Sequence, residues 1–102
     1  MKLHHIALVS SDINRSIEWY QKHIEDINIL YKDDSWALIN CANTKIAFVR
    51  KDQHPTHICF TIDETTKNKK VPNKKFKQHR DGTSYCYISD PDGNFIEYLL
   101  EK

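Results

Sequence analysis

The chain repeats itself, and that repeat restricts its fold more than any other feature. Leu3-His4-His5-Ile6-Ala7-Leu8-Val9 returns as Thr56-His57-Ile58-Cys59-Phe60-Thr61-Ile62, and Lys45-Ile46-Ala47-Phe48-Val49 returns as Phe95-Ile96-Glu97-Tyr98-Leu99. Each half opens on a His-Ile strand and closes on an Ile-X-aromatic strand, so residues distant in sequence take equivalent places in a paired architecture. Such a pairing can gather His5, His57 and Glu97 at one point. Two imidazoles and one carboxylate are a metal-ligand set that leaves coordination positions open for water or substrate.

Between the repeated strands the pattern is that of an α+β domain. Residues 2 to 10 read as a strand that runs through Ser10-Ser11 to Asp12, a helix N-cap. Ile13, Ile17, Tyr20 and Ile24 then recur at helical spacing, with Asn14, Arg15, Glu18, Gln21 and Lys22 on the other face. Three β-like runs follow, Ile27 to Lys32, Trp36 to Cys41 and Thr44 to Arg50, which complete a β-α-β-β-β unit. Pro55 cannot donate to a ladder, so a boundary between halves belongs at Gln53-His54-Pro55. The second half opens with a strand over His57 to Ile62 and closes with a hairpin, Ser84 to Ser89 and Asn94 to Leu100, turned by Asp90-Pro91-Asp92-Gly93. Asp63 to Gly82 should hold the second helix and another strand. Val71 and Phe76 are its only large apolar residues and Pro72 interrupts it, so a degraded helix or irregular loop is expected.

At 102 residues the chain is read as one domain, with module one at about 1–52 and module two at about 53–102. A core of that size is limited, and a homodimer is the expected assembly. The formal net charge of +1 offers no field for nucleic acid or an anionic membrane. Lys67, Lys69, Lys70, Lys74, Lys75, Lys77 and Arg80 form a run without acidic residues, which reads as a solvated, mobile loop. Cys41, Cys59 and Cys86 are odd in number and lack C-x-x-C spacing, so they read as reduced, partly buried thiols. Met1 leads directly into a strand with no basic leader, and no stretch is long and apolar enough to span a bilayer; a cytoplasmic protein is expected.

Strand alternation places His5 with Leu3, Ala7 and Val9, His57 with Cys59 and Thr61, and Glu97 with Phe95 and Leu99. A carboxylate between Phe95 and Leu99 needs a neutralising partner, and a divalent cation meets that need where two imidazoles converge. Ala47 is the first-half equivalent of Glu97; if the repeat once carried four ligands, two per half, this chain has lost one. The remaining set suits non-haem iron(II), while Zn, Mn, Ni and Co are compatible with it. His4 alternates away from His5, His23 lies near a helix C-terminus, and His54 and His79 lie in polar loops; His54 is close enough to His57 to be a replacement ligand. With only Gly82 and Gly93, phosphate-binding glycine loops are excluded, and no nucleophile elbow is present.

The chain resembles the vicinal oxygen chelate superfamily, the glyoxalase/bleomycin resistance protein/extradiol dioxygenase group. The residues that carry the resemblance are Leu3 to Asp12, Arg15-Ser16-Ile17-Glu18-Trp19-Tyr20, His57-Ile58-Cys59-Phe60, and Asp90-Pro91-Asp92-Gly93-Asn94-Phe95-Ile96-Glu97. The resemblance implies two tandem β-α-β-β-β modules whose curled mixed sheets surround a cleft, with a divalent metal held by His5, His57 and Glu97 and chelated by substrate oxygens. Ala47 stands where glyoxalase I-like members carry a carboxylate, which suits a dioxygenase-type triad better.

Two functions are therefore weighed. One is a small metal-dependent enzyme with lyase, isomerase or ring-cleaving dioxygenase chemistry on a small-molecule substrate; Tyr85, Tyr87 and a metal-bound hydroxide are unranked candidates for the base. The other is a non-catalytic, bleomycin-resistance-like module that sequesters a small compound against Trp19, Trp36, Tyr31, Tyr85 and Tyr87. Resistance-type members tend to lack the metal ligands, so retention of three favours the first.

Overall fold

The structure is a computed structural model that describes residues 1–101. The elements are β1 (Lys2–Val9), α1 (Ile13–His23), β2 (Ile27–Lys32), β3 (Trp36–Cys41), β4 (Thr44–Val49), β5 (His57–Ile62), α2 (Glu64–Lys70), β6 (Lys77–Gln78), β7 (Ser84–Ser89) and β8 (Phe95–Leu100). The strands form an α+β arrangement with one mixed sheet, ordered β2-β3-β4-β1-β5-β8-β7-β6 and not closed into a barrel. The chain divides into two compact units, His5–His57 and Met1–His4 together with the chain from Ile58 onward.

In the first unit, the helix starts where its cap is strongest. The Asp12 carboxylate accepts the Arg15 N–H at 3.1 Å, which satisfies one of the first-turn donors a helix leaves open. At the other end the Ile24 N–H donates to the Tyr20 carbonyl at 2.9 Å, and extended backbone at Ile24 stops the helix. Ile13 and Ile17 pack among Ala37, Ile39, Cys41 and Phe48, and the Tyr20 ring meets Phe48 edge-on at 5.1 Å. β1 runs parallel to β4 with Ala7 opposite Ala47, and β4 is antiparallel to β3. The β4 strand stops at Val49, one residue before the expected end, because the Arg50 carbonyl accepts the Gln53 and His54 N–H groups in a turn. A register shift between Ile29 and Tyr31 makes a bulge in β2 that side-chain periodicity did not announce.

In the second unit α2 is short, as expected from its weak pattern. Asp63 caps it by accepting the Thr66 N–H at 2.8 Å, and none of its residues is buried. The chain leaves the helix at Val71, one residue before Pro72. The lysine-rich run is not simply a loop: Lys67, Lys69 and Lys70 occupy the last turn of α2, where cations are favoured by the exposed carbonyls, and the Lys67 ammonium lies 5.0 Å from the Phe76 ring centre. β6 is only two residues long and pairs antiparallel with β7, with Lys77 opposite Tyr85. Gly82 (φ 87°) makes the turn between them, and the His79 N–H donates to the Thr83 carbonyl at 2.8 Å. The β7–β8 hairpin closes on Asp90, whose carboxylate accepts the Asp92 and Asn94 N–H groups at 2.9 and 2.8 Å. Among the described residues, no helix is long and apolar enough to cross a membrane.

Phe48 is 2 % exposed at the centre of the first unit's core, so Phe48→Ala should lower unfolding stability by about 3 to 5 kcal/mol, measured by denaturant melts. Asp33 is held well below the usual carboxylate range by hydrogen bonds from the Tyr31 hydroxyl, the Ser35 N–H and hydroxyl, and the Trp36 N–H; the Asn94 side chain and backbone lower Asp90 in the same way. Groups depressed by folding stabilise above the ordinary carboxylate pKa and lose that contribution as pH falls through the lowered one. Thermal melts should therefore show Tm falling below about pH 4, with a shallower acid slope in Asp33→Asn and Asp90→Asn.

Candidate functional site

The first unit brings two of the expected ligands together. His5 and His57 lie edge to face with ring centroids 5.7 Å apart. His57 is 4 % exposed, and its Nδ1 lies 2.7 Å from the Pro55 carbonyl oxygen. A carbonyl can only accept, so Nδ1 carries the proton and Nε2 is the nitrogen with the lone pair. Metal-binding imidazoles are commonly held in this way, because the second hydrogen bond fixes both tautomer and ring plane. Pro55 contributes a carbonyl and no N–H, which suits it to the task at a break between strands. His54 lies near His57, with ring centroids 6.3 Å apart and tilted planes.

Beside His5 on its face lies the small residue Ala7. Ala7 and Ala47 are directly opposed in the β1–β4 register and almost fully buried, clustered with Val49 and with Leu38 packed against them. Position 47, where the repeat would place a fourth ligand, is thus apolar and covered. Tyr31 stacks on Trp36 with centroids 4.6 Å apart on the neighbouring strands.

In the second unit Glu97 is 3 % exposed. Its carboxylate Oε2 accepts the His79 Nε2–H at 2.9 Å. His79 in turn stacks on Tyr85, with centroids 3.9 Å apart and planes 12° from parallel. The β7–β8 register puts Tyr87 opposite Glu97 and Tyr85 opposite Leu99, so both tyrosines share the face of the carboxylate. Burial, with the Glu97 charge adding to it, pushes the Tyr87 phenol and the Cys59 thiol far above their ordinary ranges. His79, read from the sequence as a loop histidine, is thus a partner of the buried carboxylate. The signal was present in Asp81-Gly82: read as a hairpin turn, it places His79 opposite Thr83 and on the same face as Tyr85, Tyr87 and Glu97.

No family model matches the sequence, and no curated protein matches it. Solved structures do match. A glyoxalase/bleomycin resistance protein/dioxygenase superfamily member from Vibrio splendidus 12B01 aligns with a TM-score of 0.67 at 12% identity, covering 95% of this chain and 97% of that one. A structure named as an NAD-dependent benzaldehyde dehydrogenase from Legionella pneumophila aligns with a TM-score of 0.68 at 11% identity, covering 95% and 97%. A homoprotocatechuate 2,3-dioxygenase variant from Brevibacterium fuscum aligns with a TM-score of 0.63 at 15% identity, covering 98% of this chain and 33% of the longer enzyme. The chain has the vicinal oxygen chelate fold.

The three thiols are all buried, Cys41 at 9 %, Cys59 at 0 % and Cys86 at 5 % exposure. Native protein at pH 8 should react with a thiol reagent such as dithionitrobenzoate at least tenfold more slowly than protein in denaturant, because only a deprotonated, accessible sulfur attacks.

Proposed function

We propose that the protein is a small metal-dependent enzyme in which His5, His57 and Glu97 hold one divalent cation, with substrate bound through two neighbouring oxygens. The imidazole pair carries this reading, since two histidines held edge to face, one with its lone pair fixed at Nε2 by the Pro55 carbonyl, are arranged as ligands are. The proposed set takes His5 and His57 from β1 and β5 and Glu97 from β8. Glu97 fits the part chemically: alongside its hydrogen bonds with His79 and the Cys59 thiol, it is a carboxylate with about four lone-pair sites on two oxygens.

When bound, such an ion would polarise the substrate oxygens and stabilise negative charge that develops on them. The chain's own residues supply the rest. Pro55 orients His57, His79 orients Glu97, and Tyr85 and Tyr87 share the face of Glu97. Ala7 and Ala47 add no charge beside His5, so the ligand set carries a single negative charge, as in the two-histidine, one-carboxylate arrangement of iron(II) oxygenases.

Purified, tag-free protein should carry about one divalent ion per chain, and His5→Ala, His57→Ala and Glu97→Gln should each deplete it more than tenfold by elemental analysis. Oxygen consumption with added Fe(II) and a panel of catechols separates ring cleavage from lyase or isomerase chemistry. Small-molecule binding that survives all three substitutions, with no metal retained by wild type, would instead identify a sequestering protein.

A further inference from the structure

We infer that His79 is a positioning residue for the Glu97 carboxylate, and that it sets how tightly the cation of the proposed site is held. This assignment rests on the metal-binding reading above. Glu97 is buried on a strand face between Phe95 and Leu99, where an unoriented carboxylate would rotate about its last torsion or recruit a proton. The His79 Nε2–H restricts that freedom by donating to Oε2 at 2.9 Å, beside the hydrogen bond between the carboxylate and the Cys59 thiol. The imidazole is itself locked from two sides. Its ring lies flat on Tyr85 at 3.9 Å, and its backbone is pinned by the N–H donated to Thr83 and the carbonyl that accepts from Gly82.

The hairpin explains why so short a strand exists. Lys77 and Gln78 pair with Tyr85 and Ser84, and Asp81 holds the turn by accepting the Thr83 N–H and hydroxyl at 2.9 and 2.6 Å. Its two ladder pairs bury little, but they carry His79 to the edge of the carboxylate. With 27 % of its side chain exposed against 4 % for Glu97, His79 stands between the buried oxygen and solvent. A carboxylate fixed in one rotamer has less entropy to lose when it takes an ion, so the effect belongs in affinity.

The test is Co(II) titration followed by visible spectroscopy, with Zn(II) competition, on wild type, His79→Ala, His79→Gln and Glu97→Gln. His79→Ala should weaken Co(II) binding about 10- to 100-fold while leaving the shape of the bound spectrum unchanged, because the ligands are the same. His79→Gln should recover most of the affinity, since its amide can donate to the same oxygen; should His79→Ala fail to fold, His79→Phe, which can stack on Tyr85 but donates nothing, takes its place. Equal affinity in wild type and in the His79 variant that cannot donate overturns this assignment alone. A His79→Ala spectrum that matches Glu97→Gln in lost ligation also overturns it, by making His79 a ligand. Absence of Co(II) binding in wild type overturns the metal site and this assignment together.

Discussion

A carboxylate that is 3 % exposed on a strand between two apolar neighbours is the constraint to which the second half of the chain answers. Taking such a group out of water costs several kcal/mol unless donors or cations replace the lost hydration. The β6–β7 hairpin brings the His79 donor to it, and the tyrosines of β7 share its face.

Much of this fold was legible in the sequence because it is written in local chemistry. The 3.6-residue spacing of Ile13, Ile17 and Tyr20, the Asp12 cap and the Asp90-to-Gly93 turn each act within a few residues, and each is found where it was expected. The weak second helix was legible too, since the stretch from Asp63 to Gly82 lacks an apolar stripe and contains Pro72. The bulge in β2 was not, because it changes hydrogen-bond register without changing composition. His79 was missed for a related reason. A two-residue strand shows no alternation, and the residue matters only through a partner eighteen positions away.

The structural likenesses share one fold across proteins whose names differ widely, a superfamily member of unstated activity, a dehydrogenase and a dioxygenase. Identities of 11 to 15% leave side chains free to diverge while strand order persists. Function must therefore be argued from residues such as His57 and Glu97. The Pro55 carbonyl is informative here because an imidazole with a fixed tautomer is a more specific feature than a strand order.

The opposed alanines of β1 and β4 have an electrical consequence. In the proposed site, two neutral imidazoles and one carboxylate would leave a dication with a residual charge of plus one, which an acidic side chain at position 47 would cancel. An uncancelled charge in a poorly hydrated site favours a guest that arrives as, or readily becomes, a monoanion. Ala7 and Ala47, opposed and buried with only methyl groups to offer, would leave that charge uncancelled.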